Sequence, residues 1–156
     1  MERGTPGFEN DAARPLTPKG KRQLRKIAAA MKKMDLRLDL ILSSPFLRAK
    51  QTAEIAAAGL KLKKRLKFSD ELQPDGNFKK LFLQIGELKP ALENILLVGH
   101  EPYLSRLISL LVSGGENVAV DFKKGGLCRL EAEKLRNGKC ATLAWLLTPG
   151  QMKRMA

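Results

Sequence analysis

The chain has 156 residues, about the length of one domain, and can bury roughly 68–70% of its unfolded surface in a core. Apolar residues make up 44% and charged ones 29%, 29 Lys and Arg against 16 Asp and Glu give a net charge of +13, and there is one histidine, His100. No apolar run reaches the roughly 18–20 residues of a membrane span, residues 1–20 are too polar for a signal peptide, and Cys128 and Cys140 are too few for a disulfide scaffold or a structural zinc site; the expectation is a cytoplasmic protein without metal or other cofactor.

Residues 1–14 carry Gly4, Pro6 and Gly7 with no hydrophobic period and read as a loop. Thr17 is placed to cap a first helix and Pro18 to open it, with Leu24, Ile27, Ala28, Met31 and Met34 on one face. Leu38 to Ser44 is a short apolar run ended by Ser-Ser-Pro, the pattern of a buried strand. Ser44 then caps and Pro45 opens a second helix, through Thr52, Ile55 and Ala56 to Gly59 as its C′ residue. Residues 60–68 read as an outer strand and Asp70 to Asn77 as turns. Phe78, Leu81, Phe82, Ile85 and Leu88 form a third amphipathic helix, stopped by Pro90. Asn94 to His100 is a second buried strand, and Glu101-Pro102 opens a fourth helix with Leu104, Leu107, Ile108 and Leu111 on one face, ended by Gly114-Gly115. Residues 126–132 and 140–147 read as a hairpin around Asn137-Gly138. Cys128 and Cys140 flank it, as a facing pair or as separate buried thiols, and Trp145 is expected in the core. Residues 150–156 read as a tail. Helices alternating with buried strands imply an α/β domain with a mostly parallel sheet.

Two places repeat one arrangement: a buried strand ends and a helix begins within two residues, with proline at its first position. They are Ser43-Ser44-Pro45-Phe46-Leu47-Arg48 and Val98-Gly99-His100-Glu101-Pro102. Open α/β sheets bind ligands beyond the carboxyl ends of their strands, where helix N-termini favour an anion. A guanidinium in the first helical turn holds phosphate oxygens bidentately, and a strand-end histidine donates to an oxyanion near neutral pH. Arg48 and His100 together outline a phosphate pocket; a solvated surface arginine and a turn histidine are the plainer reading of the same residues. The chain has no G-x-S-x-G, Walker A or G-x-G-x-x-G motif.

Arg14-Pro15-Leu16-Thr17-Pro18-Lys19-Gly20, Ser44-Pro45-Phe46-Leu47-Arg48-Ala49-Lys50-Gln51-Thr52 and Val98-Gly99-His100-Glu101-Pro102 occur in that order. This series resembles the histidine phosphatase superfamily, and within it the SixA-type phosphohistidine phosphatases, over about residues 12 to 149. The resemblance implies a single domain over residues 1–156, with a three-layer αβα, phosphoglycerate mutase-like fold. It implies a metal-free phosphatase working through a phosphohistidine intermediate, on a phosphohistidine protein or a small phosphomonoester. By position in the motifs, Arg48 and His100 are the expected catalytic pair and, with Ser44, the expected phosphate-binding residues. Glu71 is the nearest match to an acidic proton donor, and Asp75 a weaker one. The family's opening strand, ending Arg-His-Gly, has no counterpart: Arg3-Gly4 lacks the histidine. The expectation is therefore a sheet without its first central strand, a chain inactive as it stands for want of the nucleophile, and a true start about 10–15 residues upstream of Met1. A non-catalytic phosphate- or phosphoprotein-binding relative is the alternative.

The charge offers a rival of another class. Lys61, Lys63, Lys64, Arg65 and Lys67 form the densest basic cluster, with Lys79, Lys80, Lys123 and Lys124 beyond it. A nucleic-acid-associated protein is the second alternative. Aromatics at only 5% give no stacking platform, so no specific nucleic-acid partner and no membrane is expected, and the charge reads as steering toward a phosphorylated partner.

Overall fold

The computed structural model describes residues 11–88 and 92–156; the loop expected over residues 1–10 and the helix stop at Pro90 lie outside them. Leu40–Ser43 forms β1, which runs parallel to β2 (Leu66–Phe68) on one side and β3 (Ile95–Val98) on the other. Alternate residues of these strands meet opposite layers of helix. Ile41, Leu96 and Val98 pack on Ala53, Ala56 and Ala57 of α2 (Leu47–Gly59). Leu40, Leu42 and Leu97 pack on Leu81 and Phe82 of α3 (Phe78–Gly86) and on Tyr103, Leu107 and Leu111 of α4 (Tyr103–Ser113). Burial on both faces is why β1 reads as an unbroken apolar run. β3 is half-buried rather than fully buried.

Thr17 caps α1 (Pro18–Lys33) as its position predicts, accepting from the Gly20 N–H at 3.0 Å. Ile27, Ala30 and Met31 of α1 form a separate core with Met152 of α5 (Pro149–Met155), and Leu96, Leu127 and Leu147 pack against it. The hairpin is present as β4 (Leu127–Ala132) and β5 (Ala141–Leu147), with a register shift between Arg129 and Leu130. Among the described residues β3 pairs only with β1, and β4 only with β5. The edges of β3 and β4 border one cleft of about 2320 Å³, larger than ordinary ligand pockets of ~300–1,000 Å³. The result is a mixed α/β architecture with a mostly parallel sheet and helices on both faces, as expected.

Several local expectations need correction. Residues 150–156 are not a tail: Thr148 accepts from the Gln151 N–H, the Gln151 side chain accepts from the Thr148 N–H, and Pro149 opens α5. That capping box, with Met152 fully buried, makes a helix of a segment whose Pro149-Gly150 pair suggests none. Pro45 and Pro102 do not occupy first helical positions; Phe46 and Pro102 are the caps and the helices start at Leu47 and Tyr103. Gly59 is the last residue of α2, and the left-handed conformation falls on Lys61 instead. The glycine serves α1 packing, since a Cβ there would lie 2.8 Å from the Cβ of Ala28. Only Leu66–Phe68 of the expected outer strand is extended, after a 3-10 turn at Lys63–Arg65. Cys128 lies opposite Leu146, while Cys140 precedes β5, so the thiols do not face one another. Trp145 is half-buried, opposite Arg129.

Candidate active site

The ends of β1 and β3 converge on the start of α2. Past the last paired residues, the Ser44 N–H donates to Val98 O at 2.9 Å and extends the ladder by one step. Ser44 is fully buried. Its hydroxyl oxygen accepts from the Phe46 N–H at 3.2 Å and lies 2.8 Å from His100 Nε2. The Phe46 ring meets the His100 ring edge-on at 5.3 Å. His100 is thus held on two sides.

Burial, and then the positive charge of Arg48, push the His100 pKa below its ordinary 6.5, while Asp11 pulls the other way. Burial and Arg48 therefore both favour the neutral imidazole. The Ser44 contact engages Nε2 and leaves Nδ1 as the second polar atom of the ring.

Arg48 lies in the first turn of α2, where the helix N-terminus adds its partial positive charge. Its Nη2 is 2.7 Å from Asp11 Oδ1. The same oxygen is 3.7 Å from Arg14 Nη1. One turn along α2, Gln51 Oε1 accepts from the Leu16 N–H at 2.7 Å and fastens the segment before α1 to this helix. Arg14, Arg48, His100 and Asp11 all border the large cleft. Among the described residues no group of three or more His, Cys, Asp or Glu side chains is arranged to hold a metal ion.

The structure therefore brings Arg48, His100 and Ser44 together. It does not bring Glu71 to them. Glu71 lies on a 3-10 turn (Asp70–Leu72), its carboxylate accepts from the Asn77 N–H at 3.1 Å, and its carbonyl accepts from the Tyr103 hydroxyl. It borders a different cavity of about 380 Å³ with Ser69 and Gln84. Asp75 is exposed in the turn that follows. The basic cluster from Lys61 to Lys67 is exposed on the 3-10 turn and β2. Sequence reasoning missed Asp11, Arg14 and Gln51. Gln51 had a signal, one helical turn from Arg48, whereas Asp11 reaches Arg48 only through the fold.

The description of the histidine phosphatase superfamily, branch 1, matches residues 4–73. An uncharacterised protein of Picosynechococcus is 31% identical over 130 residues, which cover 83% of this chain and 78% of that protein. The phosphohistidine phosphatase SixA of Escherichia coli is 27% identical over 145 residues, 92% of this chain and 87% of the relative. A protein histidine phosphatase SixA solved with tungstate superposes with a TM-score of 0.77 at 26% identity, covering 90% of this chain and 87% of that one. A putative SixA from Agrobacterium tumefaciens gives 0.70 at 24% identity, over 96% and 92%.

Proposed function

The chain belongs to the histidine phosphatase superfamily, and from that premise we propose that Arg48 and His100 hold the phosphoryl group of a phosphohistidine protein or a small phosphomonoester. The observation that carries the proposal is their meeting at one cleft, Arg48 from the first turn of α2 and His100 just past β3. Arg48 supplies a permanent charge and a planar fork for two oxygens. His100 supplies an imidazole at the same cleft, which becomes easier to protonate, and so to donate, as a phosphoryl dianion arrives. The tungstate bound by the SixA relative is a tetrahedral oxyanion of phosphate-like shape, which supports the same role here.

Turnover of the SixA type would run in two displacements. An imidazole nitrogen forms a bond to phosphorus while the bond to the leaving group breaks and that group takes a proton; water then displaces the imidazole. The 156 residues contain one histidine, and its Nε2 is engaged with Ser44. The attacking imidazole of this scheme is therefore not among them, and we assign these residues the binding half of the reaction. A phosphoramidate P–N bond breaks with less acid assistance than an alkyl ester. It suits a site whose nearest predicted acid, Glu71, is tied to the Asn77 backbone.

Titration calorimetry with tungstate tests the binding role. Arg48→Ala and His100→Ala should each weaken affinity by roughly 10- to 100-fold, the scale of a charge-assisted hydrogen bond; a variant that binds like the wild type removes that residue from the site. The single histidine favours one further reading, a phosphate-binding relative without turnover. Phosphate release from a phosphohistidine peptide supports the phosphatase, and tight binding without release supports the binding module.

A further inference from the structure

We propose that Arg14 is a second anion-binding arginine of this site, and that Asp11 is a tethered carboxylate occupying the oxyanion position between Arg14 and Arg48. The inference rests on the phosphate-site reading and names the residues that complete that site and compete for it.

Two guanidiniums from separate parts of the chain converge on one oxygen. Arg48 reaches Asp11 Oδ1 from α2 at 2.7 Å, and Arg14 reaches the same atom from the segment before α1 at 3.7 Å. Within that segment the Arg14 N–H donates to Asp11 O at 3.2 Å, and beyond it the Leu16 N–H is held by Gln51. A carboxylate oxygen and a phosphoryl oxygen offer a guanidinium the same thing, a terminal anionic acceptor. Asp11 Oδ1 therefore marks a place where a phosphoryl oxygen also satisfies both arginines. The side chains of Arg14, Arg48 and Asp11 are 34, 32 and 22% exposed, so an anion from solvent can reach the pair.

Charge sets the selectivity. With Asp11 in place the two arginines carry a local net charge of +1, and a dianion meets a resident negative charge. With Asp11 rotated away it meets +2. A partly exposed ion pair is weak, so displacement is within reach of a ligand that makes several contacts. A small monoanion recovers little more than it displaces, whereas a phosphoryl dianion engages Arg14, Arg48 and His100 together. Asp11 thus raises the threshold for occupying the site and selects for doubly charged tetrahedral groups.

Tungstate and inorganic phosphate binding to the full chain, measured by calorimetry, tests this with Asp11→Asn, Arg14→Gln, their double variant and Arg48→Ala. Near-UV circular dichroism establishes that each is folded, and Asp11→Ala stands in if the asparagine variant is not. Asp11→Asn should tighten tungstate binding by roughly two- to fivefold. Arg14→Gln should weaken it several-fold, and more clearly in the Asp11→Asn background, where the ligand has Arg14 to itself. Unchanged or weaker binding by Asp11→Asn would show that the carboxylate only orients Arg48 and would overturn the competitor role. Unchanged binding by the double variant relative to Asp11→Asn would overturn Arg14 as a ligand. If Arg48→Ala binds like the wild type, the phosphate-site reading itself is wrong. If only Arg48→Ala loses binding, that reading stands and this inference falls.

Discussion

Replacing Ser44 by alanine removes one hydroxyl that does two things. It satisfies the Phe46 N–H ahead of α2, and it holds His100 through Nε2. The residue is fully buried, so water does not readily replace it. Leaving a buried donor without a partner costs about 1–3 kcal/mol, and the imidazole nitrogen loses its partner as well, so the expected destabilisation is about 1.5–3 kcal/mol. For a chain of this length that lowers Tm by roughly 3–12 °C. Ser43 provides the internal control. It is equally buried, but its hydroxyl only donates to the Ser44 carbonyl, at 2.9 Å, and Ser43→Ala should cost about 1 kcal/mol or less. Urea denaturation gives both values, and tungstate titration gives the functional consequence. Ser44→Ala should weaken tungstate binding by roughly three- to tenfold through loss of a fixed His100 orientation, while Ser43→Ala leaves it unchanged. Equal effects of the two substitutions on both stability and binding would refute the view that Ser44 positions the histidine.

The single histidine makes an NMR titration a one-signal experiment: its midpoint should lie below 6.5, rise in Arg48→Met and fall further in Asp11→Asn. Because the native value is the lower one, the unfolded chain binds more protons between the two, so stability is full above about 6.5 and falls as the pH drops through the native pKa; a midpoint at or above 6.5 contradicts the burial and charge assignment. Met152→Ala should cost about 2–4 kcal/mol, read as a lower urea midpoint at unchanged slope, since the side chain is wholly enclosed by Ile27, Ala30 and Met31; a cost below about 1 kcal/mol means α5 is not docked.

The parts of the fold that were legible are those in which local chemistry and burial agree. Thr17-Pro18 caps and opens α1, the apolar run 40–43 is a strand buried on both faces, and Gly114 closes α4 in the left-handed conformation. The C-terminal helix was hidden because Pro149-Gly150 outweighs a seven-residue signal, and what stabilises it is the distant contact of Met152 with α1. Gly59 shows the same limit, since the need for a glycine is set by Ala28, thirty-one positions earlier in the chain. In the site, Arg48 and His100 were readable because each follows a strand directly. Asp11 was not, because its role comes from a contact across thirty-seven positions. Where Glu71 directs its carboxylate was not legible either, because the contact with the Asn77 N–H is set by the turn between them.

Arg48, Arg14 and an imidazolium at His100 would repel one another in a cleft partly shielded from water, and two devices reduce that cost before an anion arrives. Asp11 neutralises one unit of the arginine charge from a tether. Burial and Arg48 both disfavour the charged form of the His100 ring, whose Nε2 is hydrogen-bonded with the Ser44 hydroxyl. Both are reversible by the same event. A phosphoryl dianion competes with Asp11 for the guanidiniums, and its charge favours return of the proton to His100. The affinity of the site for a dianion should therefore rise as the pH is lowered toward the native pKa of His100, and this dependence should disappear in His100→Gln. An unchanged slope in that variant would place the titrating group elsewhere, since the chain has no second histidine to supply it.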